Sequence, residues 1–191
     1  MSKILIYLFF SLFILSGITL SAQTKYEATE ISFIVAGTST LHDWEIEGIS
    51  GKCSAFLDID ASGKLTSIKN VNFSFGSKSL KSGKSAMDSN VYKALKSSKY
   101  PNISGEMVNM KLSTSDNVNF KITGNMNVQI GGITKQVDIV ATGKLSGNTL
   151  SIKGENKLDM TKFNIDPPSF MFGTVNTGKD VVVKYNLILA K

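Results

Sequence analysis

Apolar residues recur at every second position along most of the chain. Ile31, Phe33 and Val35 follow this spacing, and Val71, Phe73 and Phe75 alternate with Asn70, Asn72 and Ser74. Near the end, Val181, Val183, Tyr185, Leu187 and Leu189 share one face, while Val182 and Ile188 make the other face partly apolar. A period of two places alternate side chains on opposite faces of a strand, so each segment predicts one face in an apolar interior and one in water. Small residues punctuate these segments. Ala61, Ser62 and Gly63 separate LDID from KLTSI, Gly131 and Gly132 separate NMNVQI from ITKQVDIV, and Gly147 and Asn148 separate ATGKL from TLSIKG. Each break predicts a hairpin. About eight or nine short strands at regular spacing predict an all-β meander, a sandwich or a barrel. Closure into a barrel of about eight strands is the better expectation, because it leaves no exposed edges and encloses room for side chains or one small ligand.

Two stretches break the alternation. Between Gly76 and Pro101 the second half predicts a short helix, with Asp88 or Ser89 as N-cap, Val91 and Leu95 on one face and Pro101 as its stop. Between Asp159 and Gly178, Pro167 and Pro168 forbid regular structure, yet Phe163, Phe170, Met171 and Phe172 supply large apolar surface. Such a loop must cover something: it is either a plug packed into one barrel end or a lid over a ligand mouth.

The first 22 residues form a different class of segment. One lysine, an apolar run from Ile4 to Leu15 and a small-residue exit at Ser21 and Ala22 have the order of a secretory leader, with cleavage expected near Ala22. The run is shorter than the roughly 20 residues of a membrane span. Residues 23–191 are then expected to be one exported domain, long enough to bury a core unaided. Cys53, the only cysteine, has no disulfide partner in the chain and is expected to be a small buried residue on a strand.

Composition narrows the chemistry. All 21 basic residues are lysines, and a chain without arginine is a poor candidate for reading nucleic acid through bidentate forks. Lys64, Lys69, Lys78, Lys81, Lys84, Lys93, Lys96 and Lys99 are opposed only by Asp88 across that stretch. This is either a solvated face or a patch that draws the chain transiently to an anionic head group or membrane surface. With a single histidine and a single cysteine, no dedicated metal constellation is expected and no cofactor is called for. Neither common serine-hydrolase signature occurs, and the GKS at Gly83–Ser85 has Lys78 where a phosphate loop needs glycine. Glu45, Glu47, Asp58 and Asp60 remain as carboxylates that only folding can bring together. The most unusual cluster is His42, Asp43 and Trp44. Alternation sends His42 and Trp44 to one face and Asp43 to the other. The pair either walls a ligand site or has a structural role, with His42 bonded to a backbone carbonyl and Trp44 in the core.

Four segments in order resemble one known family. GTSTLHDWEIEGISGKC (37–53), SLKSGKSAMDSNVYKALKSSKYPNISGE (79–106), GNMNVQIGGITKQVDIVATG (124–143) and MTKFNIDPPSFMFGTVNTGKDVVVKYNLIL are similar to the corresponding motifs of YceI-like domain proteins. The resemblance covers essentially all of residues 23–191. It implies an extended, lipocalin-like antiparallel β-barrel, exported to the bacterial periplasm, holding a long-chain amphiphile such as a polyisoprenoid or isoprenoid quinone in an apolar cavity. His42, Asp43, Trp44, Phe163, Phe170, Met171 and Phe172 are then expected near that cavity. With the inward aromatic residues and the helix, the candidate ligand-contacting set also includes Phe33, Phe73, Phe75, Tyr92 and Leu95. Two other readings stay open: an enzyme acting on a lipid or quinone with His42 as base, and a ligand-free interaction module whose barrel is filled by its own side chains. Pairing of two copies is left undecided.

Overall fold

The computed structural model describes residues 23–170 and 173–191. The expected leader, Met171 and Phe172 lie outside these described residues, as does the side chain of Phe170. Ten strands form one antiparallel sheet: β1 (Gln23–Ser39), β2 (Trp44–Gly48), β3 (Lys52–Ile59), β4 (Leu65–Gly76), β5 (Asn102–Ser113), β6 (Asn119–Ile130), β7 (Ile133–Ser146), β8 (Thr149–Asp159), β9 (Ser169–Phe170) and β10 (Val175–Ala190). Neighbours in sequence pair in turn from β3 to β8, and β10 then pairs with both β8 and β1, which closes an eight-stranded barrel. The all-β barrel expectation holds. The short strands β2 and β9 bring the number slightly above the eight or nine expected.

The three expected hairpins form at β3–β4, β6–β7 and β7–β8, with Gly63, Gly131, Gly132 and Gly147 all at positive φ. Asp60 fixes the first of these by accepting from Ser62 N (2.9 Å), Ser62 Oγ (2.6 Å) and Lys64 N (3.0 Å), an Asx turn that needs a carboxylate at that position. One edge of β1 is shared. Its first half pairs with β3 through Gln23–Asp58 and Glu27–Ser54, and its second half with β2 through Phe33–Gly48 and Gly37–Trp44. The two partners part at residues 49–51, where Ile49 stands exposed. Beyond the break β2 finds a substitute neighbour, since Glu47 and Lys81 exchange backbone hydrogen bonds of 2.8 Å each.

The helix α1 (Ser85–Ala94) starts a turn earlier than the sequence predicts and is flanked by Lys84 rather than capped by Asp88 or Ser89. Asp88 instead turns back to the preceding loop and accepts from Ser82 N (2.8 Å) and Ser82 Oγ (2.7 Å), so one carboxylate secures both loop and helix. The helix also ends before Pro101. Lys96 adopts a left-handed conformation at φ 51°, and Tyr100 N closes onto its carbonyl at 2.9 Å. Proline therefore marks the start of β5 rather than the end of α1.

Buried residues fall into two clusters at opposite ends of the barrel. One contains Tyr26, Leu57, Leu65, Ile122, Leu150 and Leu189, beside the β3–β4 and β7–β8 hairpins. The other contains Phe33, Ile46, Leu80, Leu95, Ile103, Phe163 and Ile165, contributed by β-strands, by α1 and by the proline-containing segment after β8. Between the two the barrel is hollow.

Candidate ligand cavity

The hollow measures about 600 Å³ and is walled almost entirely by apolar side chains. Every inward residue read from alternation faces it: Ile31, Phe33 and Val35 on β1, Val71, Phe73 and Phe75 on β4, and Val181, Val183, Tyr185, Leu187 and Leu189 on β10. A barrel rich in aromatic rings would ordinarily fill itself. Here four large rings are kept against the wall by glycines directly opposite them in register: Phe33 by Gly48, Trp44 by Gly37, Phe73 by Gly105 and Tyr185 by Gly154. At each of these glycines an added Cβ would collide with the facing ring. The missing side chain lets the ring lie over the neighbouring strand, so aromatic surface lines the space without occupying it. Phe33 and Phe75 also pack ring to ring at 4.3 Å, and Phe73 stacks on Phe75 at 6.0 Å.

Of the residues singled out from sequence, Phe33, His42, Trp44, Phe73, Phe75, Leu95 and Phe163 line the cavity. Val91 on α1 and Leu95 at its C-terminal cap both border the cavity, as their spacing predicted. Two expectations are corrected. Asp43 is exposed and off the cavity wall: it sits in the loop between β1 and β2, where its neighbours Leu41, His42 and Trp44 border the cavity while its charge stays in water. Tyr92 also lies off the wall: its hydroxyl bonds the carbonyls of Leu80 (2.9 Å) and Lys78 (3.1 Å), with Lys81 Nζ 5.3 Å above the ring. It fastens α1 to the preceding loop. Phe170, Met171 and Phe172 cannot be placed in the wall, since Met171, Phe172 and the Phe170 side chain are outside the described residues.

His42 has the structural bond considered for it, Nδ1 to the carbonyl of Asp43 at 2.6 Å. A carbonyl only accepts, so Nδ1 carries the proton. Trp44 Nε1 donates to Thr38 O at 3.1 Å, which leaves the indole faces apolar. Cys53 is buried on β3 in the cavity wall, and burial pushes its thiol up to about 11. That keeps it protonated and inert at neutral pH. The carboxylates do not converge there. Asp58 is held below the usual range by hydrogen bonds from Lys69 and Ser67, Asp60 serves its turn, and no acidic residue lines the cavity among those described. No cluster of three metal-ligating side chains occurs among the described residues.

The lysine-rich stretch is divided by the fold. Lys64 and Lys69 flank Leu65 and Ile68 at the closed end, whereas Lys84 lines the cavity beside α1. Sequence reasoning missed Asn156, which bonds Tyr185 within the wall. Its signal is faint, because an asparagine at an inward position gains meaning only from the residue across the sheet.

The YceI-like domain model matches residues 23–189. The chain belongs to the YceI-like domain family. No curated protein sequence matches it significantly. Among solved structures it is similar to BcnA of Burkholderia cenocepacia, at 17% identity and a TM-score of 0.60 over 82% of this chain and 95% of that one. A polyisoprenoid binding domain from Saccharophagus degradans, implicated in plant cell wall breakdown, aligns at 10% identity and a TM-score of 0.56 over 88% and 99%. The Campylobacter jejuni YCEI protein aligns at 17% and 0.54 over 73% and 81%. At these identities the likeness establishes the shared YceI-like barrel.

Proposed function

We propose that this YceI-like chain is a binding protein for a long-chain lipid of isoprenoid type, held by shape and apolar area inside the barrel. The observation that carries the reading is the open interior: the inward aromatic residues are held against the walls and leave about 600 Å³ free. This is within the range of ligand sites, roughly 300–1,000 Å³. It argues against a barrel filled by its own side chains. Each methylene moved from water into such a space contributes roughly 0.8 kcal/mol, so ten of them offer about 8 kcal/mol before the cost of ordering the chain. Few polar contacts are then needed. The polyisoprenoid binding domain from Saccharophagus degradans, with the same fold, supports an isoprenoid as the occupant.

Binding is a better reading than catalysis because the cavity wall is almost entirely apolar and, among the described residues, sets no carboxylate beside the one histidine. Export belongs to the same proposal and rests on the leader-like residues 1–22. Mature protein that keeps Met1 at its N terminus would remove that part.

The test is mass spectrometry of an organic extract from gently purified protein. One long-chain lipid per chain is expected, and an empty extract overturns the reading. His42→Ala should retain the lipid, and loss of turnover on any candidate substrate in that variant would instead establish the enzyme.

A further inference from the structure

At the waist of the barrel three residues pack against both buried clusters: Ile31, Phe73 and Tyr185. Only Tyr185 brings a polar atom there. Its ring lies across Gly154, and its oxygen reaches Asn156, two residues further along β8, with Oη to Oδ1 at 3.1 Å. The amide is oriented from its other side, where Asn156 Nδ2 meets the carbonyl of Asp138 on β7 at 2.7 Å. A carbonyl accepts and cannot donate, so the amide nitrogen must face Asp138 and Oδ1 must face Tyr185. Oδ1 has no hydrogen either, which makes Tyr185 the donor. The single phenolic hydrogen is therefore committed, and the phenol oxygen has only lone pairs left to offer. Burial pushes Tyr185 up to about 12, so the phenol keeps its proton at neutral pH. Both side chains belong to the cavity wall, and methylenes passing such an oxygen leave its lone pairs unanswered, which costs free energy.

We propose that Tyr185, set by Asn156 and Gly154, is an acceptor subsite at the barrel waist that selects a lipid bearing a hydroxyl group, alcohol or phenol, over the same chain ending in a carbonyl or ether. The ligand O–H donates to Tyr185 Oη. The proposal rests on the lipid-binding reading above and adds the polarity of the occupant. For a redox-active prenyl ring, it favours the form that carries O–H groups.

The probes are geranylgeraniol, its methyl ether and the corresponding aldehyde, titrated into delipidated protein. The signal is the fluorescence of Trp44, the only tryptophan and part of the cavity wall. The alcohol is expected to bind about 3- to 10-fold more tightly than the other two, as one net hydrogen bond allows. Tyr185→Phe should bring all three to within twofold of one another. Asn156→Leu frees the phenolic hydrogen and should turn the preference toward the aldehyde. Asn156→Asp, which keeps an acceptor for Tyr185, should retain the alcohol preference and covers the case in which Asn156→Leu fails to fold. Equal affinities in the wild type, or an alcohol preference that survives Tyr185→Phe, overturn the subsite while leaving lipid binding intact. Failure of all three probes to bind counts instead against the lipid reading itself.

Discussion

The two ends of this barrel use the same strands and arrive at opposite kinds of interior. At the closed end, short hairpins bring β3 to β4 and β7 to β8, and Leu57, Leu150 and Leu189 are each 0% exposed. At the other end residues 77–101 and 160–168 lie between strands, β2 departs from β3, and Phe33 and Phe163 join Leu80, Leu95 and Ile103 on the inner surface. Short connections keep neighbouring strands in step, so branched side chains meet and exclude space. Away from the closed end, the glycines opposite Phe33, Trp44, Phe73 and Tyr185 hold the widest side chains aside. One end thus anchors the fold and the other provides room.

This contrast predicts a ranking of substitutions. Leu150→Ala at the closed end removes a fully enclosed side chain and should cost about 3–5 kcal/mol in urea denaturation, because surrounding groups cannot collapse into the gap. Leu95→Ala, on the cavity side of α1, should cost less than half as much, since that leucine already borders open space and has fewer partners to lose. Equal losses would show that the two ends are packed alike.

A second substitution attacks the device itself. Gly105→Val places a branched side chain where the Phe73 ring now lies, which pushes the ring into the hollow. Lipid recovered per chain should fall at least tenfold, with a loss of roughly 1–3 kcal/mol in stability from the crowding. Unchanged recovery would mean that the glycines opposite the rings do not keep the interior open.

The smallest effect concerns the β5–β6 turn, which is independent of the cavity. Asp116 accepts from Asn119 N (2.7 Å), Asn119 Nδ2 (2.7 Å) and Val118 N (3.0 Å), and these bonds hold its carboxyl down to about 2. Its folded value is below the unfolded one near 3.9, so its contribution is complete above about pH 4 and disappears as pH falls through 2. Asp116→Asn should lower stability slightly at pH 7, narrow its difference from wild type below pH 3, and leave lipid recovery unchanged. Thermal melts across that range check the sign.

Much of the wall was legible in the chain. Alternation at Ile31–Val35, Val71–Phe75 and Val181–Leu189 identifies the inward half correctly, and the glycine and asparagine breaks locate the hairpins. The helix was less legible. Asp88 looks like an N-cap because capping and back-folding onto Ser82 use the same side chain, and only the loop's path distinguishes them. Tyr92 illustrates the same limit: its aromatic ring suggested a cavity contact, but its hydroxyl is taken up by the 78–80 carbonyls. Asn156 and the glycines opposite each ring carry no local signal, because their effect depends on a residue in another strand.

Which side chains face inward was settled by the sequence alone, since a strand's two-residue repeat is a property of backbone geometry at each position. Whether those side chains meet or leave a hollow was decided by tertiary structure. Pairing register sets a glycine or a bulky residue opposite each ring, and register depends on closing all eight strands at once.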